Sequence, residues 1–114
     1  MNSCLFCSIV GGSIPCTEVY NDENILAFRD IDPKAPTHIL VIPKGHIGSL
    51  NDITAENAPD MAGLLLAATE IARREGLADQ GYRFVINCGE EGGQTVGHLH
   101  LHILGGRQLN WPPG

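Results

Sequence analysis

The run His98-Leu99-His100-Leu101-His102-Ile103-Leu104 sets three of the five histidines at every second position. In a strand that alternation turns all three imidazoles to one face and leaves Leu99, Leu101 and Ile103 for the core. A neutral imidazole can act near pH 7 as nucleophile, base or metal ligand. One ion cannot hold all three. Residues four apart on a strand have backbones about 13 Å apart, whereas zinc keeps its nitrogens at about 2.0–2.1 Å. A neighbouring pair could share an ion, or a terminal histidine could join ligands from elsewhere, which leaves His100 in the middle to react.

The segment before the triad, Gly89 to Gly97, is too glycine-rich for regular structure. Its glycines let backbone N–H groups converge on an anion, and Thr95 adds a hydroxyl. It has no P-loop pattern, and Glu90 and Glu91 would repel a triphosphate, so the anion it suits is a single phosphate. Asp30 follows an aromatic strand end, and a carboxylate there can accept both hydroxyls of a ribose diol. Turn formation before Pro33 accounts for Asp32 better than for Asp30. Cys4-Leu5-Phe6-Cys7 has the spacing of half a zinc site and needs two further ligands; a reduced apolar pair is the alternative.

Positioning these groups takes a modest scaffold. The chain has 114 residues, 43% of them hydrophobic and 18% charged, which fits one domain over residues 1–114 with a single core. A net charge of −6 and no basic run argue against a nucleic-acid partner. No apolar stretch approaches the ~20 residues of a membrane span. The start, Met1-Asn2-Ser3-Cys4, lacks the features of a signal peptide, so the expected compartment is the cytoplasm, with thiols reduced. A short helix is expected over Cys4 to Val10, and strands over Val19-Tyr20, Ile25 to Arg29 and Ile39 to Ile42. A long helix capped by Asn57 should run from about Ala58 to Glu75, followed by strands over Tyr82 to Cys88 and His98 to Leu104. The expected fold class is α+β, with a five-stranded antiparallel sheet, one long helix and a short N-terminal helix.

Taken together, these residues resemble the histidine-triad (HIT) family, whose signature of three alternating histidines followed by two apolar positions is met by His98 to Leu104. The similarity extends through Phe28 to Ile31, Ala35 to Lys44 with His46, Asn87, Gly92 to Thr95, and the ending Gly105-Gly106-Arg107 to Trp111-Pro112-Pro113-Gly114. That ending is similar to the family's nucleotide-binding (Hint) branch, which implies a two-layer HIT-like fold, a homodimer and purine nucleoside phosphoramidase activity. By the resemblance His100 is the nucleophile, forming a nucleotidyl-histidine that water cleaves, with His98, His102 and Thr95 assisting. It further assigns Leu5, Phe6, Ile9 and Phe28 to the base pocket and Asp30 and Ile31 to the ribose. Asn87, Gly93, Gln94, Thr95, Val96, His100 and His102 are assigned to the nucleotide, and Trp111, in a tail over residues 105–114, to the partner subunit's pocket.

Some bacterial members are similar in binding structural zinc through residues matching Cys4, Cys7, His46 and His98; no organic cofactor is implied. Dinucleoside polyphosphate hydrolysis, nucleotidyl transfer and non-catalytic sensing of a purine mononucleotide are the alternative functions. Two positions depart from the branch: Thr95 stands where serine is common, and Gly97 where a larger residue often precedes the triad.

Overall fold

The computed structural model describes residues 4–114; Met1-Asn2-Ser3, part of the targeting argument, lie outside the described residues. A short helix α1 (Leu5–Val10) precedes strands β1 (Glu18–Asn21), β2 (Ile25–Arg29) and β3 (Thr37–Pro43). A 3₁₀ turn (Leu50–Asp52), the long helix α2 (Ala58–Arg74) and strands β4 (Tyr82–Val85) and β5 (Leu101–Gly105) follow. The strands form one antiparallel sheet in the order β1-β2-β3-β5-β4. Among the described residues no helix is long and apolar enough to cross a membrane.

Strand alternation builds two apolar clusters, one on each face of the sheet. Ile25, Ala27, Ile39, Val41, Leu101 and Ile103 meet Leu64, Ala67, Ala68, Ile71 and Ala72 of α2. The three alanines are small enough for the helix to lie close on the sheet. On the other face Leu26, Phe28, Leu40 and Ile42 gather around Phe6 of α1. With both faces covered, β3 is buried from His38 to Pro43. That is why Thr37–Pro43 reads as a nearly continuous apolar run.

Local chemistry sets the turns. Asp22 Oδ1 accepts the backbone N–H groups of Asn24 and Ile25, each at 2.8 Å, and so closes the β1–β2 hairpin. Gly76 ends α2 in the left-handed region, at φ +77°.

Three expectations need correction. Asn57 stands at the N-cap of α2 as expected, but its side chain makes no capping hydrogen bond; its Oδ1 accepts from Thr54 N at 2.7 Å instead. The fourth strand stops at Val85 rather than Cys88. The last strand begins only at Leu101, so His98 and His100 lie ahead of it. Pro43 is the reason. The ladder pairs Val41 with Leu101, and the next hydrogen-bonded pair, two residues on, would set Pro43 opposite Leu99 and need an N–H that Pro43 lacks. The alternation nevertheless continues, since Leu99, Leu101 and Ile103 are all buried in the α2-side core.

Candidate active site

The imidazoles differ in surroundings, and each has its ring orientation fixed by a backbone or side-chain partner. His98 is fully buried, and its Nε2 lies 2.8 Å from Pro43 O. A carbonyl only accepts, so Nε2 carries the proton and Nδ1 the lone pair. That lone pair faces Cys4 Sγ at 3.3 Å and Cys7 Sγ at 3.5 Å. His46 Nδ1 lies 3.3 Å from Cys7 Sγ. These four ligand atoms all fall within 4.8 Å of one another. A tetrahedral zinc with sulfurs at about 2.3 Å and nitrogens at about 2.0–2.1 Å needs its ligands roughly 3.3–3.8 Å apart, and the donor set of two thiols and two imidazoles fits that ion.

His100 is 5% exposed, and its Nδ1 lies 2.8 Å from the carbonyl of His98. By the same reasoning Nδ1–H donates and Nε2 holds the lone pair. Nε2 makes no hydrogen bond among the described residues. Phe6 packs edge-on against the ring, with centroids 5.0 Å apart.

His102 is oriented by a residue to which the sequence reading gave no role. Lys34 N–H donates to His38 Nδ1 at 3.0 Å, which places the proton of neutral His38 on Nε2. That N–H points to His102 Nδ1 at 2.9 Å, with Asp30 Oδ2 at 3.5 Å beside it. His102 Nδ1 therefore accepts, and its Nε2–H remains available as a donor. Burial, followed by the neighbouring His100 and His38, pushes the His102 pKa down to about 4, against a partial opposing pull from Asp30. Burial also lowers His38. Both rings are neutral at pH 7. The only trace of His38 in the sequence is a lone polar ring inside an aliphatic strand, and its partner 64 positions away is set by the β3–β5 register.

A cleft of about 280 Å³ opens over His100 and His102. It is lined by Leu5, Phe6, Ile9, Phe28, Asp30, Ile31, Thr95 and Val96 from the predicted set, with Ile14, Pro15, Cys16, Arg29 and Leu40 added. The three positions over 14–16 carry no motif, and only the path of the chain after α1 brings them to the wall.

Four predicted residues lie elsewhere. Asn87 Nδ2 donates to Gly92 O at 2.7 Å and braces the glycine loop from behind. Gln94 pins the same loop: Nε2 donates to Gly48 O at 2.8 Å and Val96 O at 2.9 Å, and Oε1 accepts from Gly89 N at 3.0 Å. Gly93 lines a neighbouring groove with Gln94. Trp111 is 80% exposed, neither plugging the core nor lining the cleft of its own chain.

The α+β fold presents its alternating histidines beside a glycine-rich loop, and residues 11–109 match the HIT domain. The chain belongs to the HIT family. It superposes on a HIT family hydrolase from Legionella pneumophila Philadelphia 1 with a TM-score of 0.97 at 54% identity, covering 98% of this chain and 100% of that one. It is 53% identical to the 14 kDa zinc-binding protein of Zea mays, over 96% of this chain and 87% of that protein. It is 46% identical to the purine nucleoside phosphoramidase of Escherichia coli K12, over 92% of this chain and 88% of that enzyme.

Proposed function

We propose that the protein is a purine nucleoside phosphoramidase that works through a covalent nucleotidyl-histidine. The observation that carries this reading is the state of His100: Nδ1–H is spent on the carbonyl of His98, and the Nε2 lone pair is unpartnered at the cleft. A nucleophile fixed in this way needs no reorientation before attack. The base lies against Phe6 and Phe28, and Asp30 takes the ribose hydroxyls. His102 Nε2–H and the loop amides hold the non-bridging oxygens as charge builds on them.

His100 Nε2 forms a bond to phosphorus while the P–N bond breaks. The electron pair of the P–N bond goes to the departing nitrogen, which takes a proton from solvent and leaves as the amine. Water then adds to phosphorus and returns a proton to solvent, the P–Nε2 bond breaks with its electron pair going back to Nε2, and the imidazole is neutral again as the nucleoside monophosphate departs. Thr95 stands beside the leaving group.

Zinc at Cys4, Cys7, His46 and His98 is part of the proposal, as a structural ion with no open position for chemistry. It would tie α1, which carries Leu5, Phe6 and Ile9 of the cleft wall, to the segment that holds His100. The protein acts as a homodimer in the cytoplasm. Leu65 and Leu66 on α2 (47% and 72% exposed) and Tyr82 on edge strand β4 form the apolar surface that a second copy covers. Trp111 reaches the partner's cleft.

Incubation with adenosine 5′-phosphoramidate, followed by acid quenching, tests the central claim. The wild type releases ammonia and AMP and carries labelled nucleotide on His100, and His100→Ala does neither. Tight nucleotide binding by the wild type with no adduct and no turnover would make the protein a sensor.

A further inference from the structure

The cleft over His100 accounts for a nucleotide but not for what is attached to its phosphorus. A second groove, of about 660 Å³, is lined by Gly48, Ser49, Gly89, Glu90 and Gly97 together with residues 93–96. It shares Thr95 and Val96 with the cleft, so the two spaces meet at the loop that faces phosphorus. The groove is firmly built, because Gln94 ties both of its sides together through Gly48 O and Gly89 N. Gly97 contributes open space: a Cβ built there meets nothing within 4 Å. Glu90 is exposed on the groove wall and has no ion pair among the described residues.

We infer that this groove receives the chain of the leaving amine, that Gly97 sets how bulky that chain can be, and that Glu90 favours one ending in a positive charge. The inference rests on the phosphoramidase reading and narrows it to phosphoramidates of diamines and similar cationic amines. Charge supports this choice. A carboxylate beside the phosphate-binding loop repels a second nucleotide or a polyphosphate and attracts an ammonium group. Size supports it as well, since ammonia alone would leave the groove without an occupant.

Three adenosine 5′-phosphoramidates separate these contributions: the unsubstituted amide, the N-(4-aminobutyl) amide and the neutral N-pentyl amide of equal length. In the wild type, kcat/KM at low salt favours aminobutyl over pentyl by about threefold to fivefold, as expected for a solvent-exposed ion pair. Glu90→Gln brings the ratio to about one, and Glu90→Lys inverts it. Gly97→Phe lowers turnover of both chain-bearing substrates by about tenfold or more relative to the unsubstituted amide, and its circular dichroism spectrum and melting curve report that the variant has folded. An unchanged ratio in Glu90→Gln, or equal loss on all three substrates in Gly97→Phe, overturns the assignment. A wild type that hydrolyses all three at the same rate overturns the groove inference alone. A wild type inactive on every one overturns the phosphoramidase reading and this inference with it.

Discussion

His102 makes the stability of this fold sensitive to acid in a way that can be calculated. Lys34 N–H occupies His38 Nδ1, so His38 presents Nε2–H to His102 Nδ1, and a proton added to His102 at Nδ1 would confront another N–H. Burial, followed by the neighbouring His100 and His38, sets the folded pKa at about 4, against 6.5 for an ordinary histidine. Because the folded value is the lower one, the unfolded chain takes up the proton first. The contribution is complete above pH 6.5 and is lost as pH falls toward 4. Integrated between those two values, the loss is about 2 kcal/mol from pH 7.5 to pH 5 and about 3 kcal/mol once pH is below 4.

The perturbation is His102→Asn, whose amide oxygen can accept from His38 but does not titrate. Urea unfolding of wild type and variant is followed at pH 7.5, 6 and 5. The cysteine–histidine cluster is the same in both proteins, so its own acid sensitivity cancels in the difference. The wild type should lose about 2 kcal/mol relative to the variant by pH 5. A difference constant to within about 0.5 kcal/mol over that range would refute the depression of the His102 pKa by burial and by its neighbouring imidazoles.

Ile103→Ala removes a fully buried side chain from the core between α2 and the sheet, and denaturant unfolding should report a loss of about 2–5 kcal/mol. Gly92→Ala sets a Cβ 2.3 Å from Cys88 O, so the loop must move; turnover should fall more than about tenfold while the melting temperature changes little, as measured by kinetics and calorimetry in parallel. Cys7→Ser removes a donor shared by the contacts to His46 and His98, and elemental analysis should find about one zinc per chain in the wild type and little in the variant, which melts at a lower temperature.

Much of the site was legible because its chemistry is written in adjacent residues. Alternation alone assigned Leu99, Leu101 and Ile103 to the core and gathered the three histidines, and the spacing of Cys4 and Cys7 announced half of a donor set. The same local logic located α2 and the first three strands. It failed where a distant residue decided the outcome. The triad strand was read as starting at His98, but Pro43, across the sheet, ends the ladder at Leu101. Asn57 does occupy the N-cap of α2, yet its side chain is taken by the preceding turn at Thr54. The bracing of the glycine loop by Asn87 and Gln94 was likewise invisible, because their partners, Gly92 O and Gly48 O, are backbone groups.

The sequence by itself determined which groups are present and their order along the backbone: an imidazole flanked by two others, a glycine-rich loop before them and a carboxylate after an aromatic strand. Only the tertiary structure decided which nitrogen of each ring carries its proton. That choice belongs to the carbonyls of Pro43 and His98 and the N–H of Lys34, which reach the rings through strand register and turn geometry. A tautomer is a property of the hydrogen-bond partner; for His98, His100 and His38 that partner is a backbone group, which nearly every residue type supplies alike, and His102 takes its tautomer from His38.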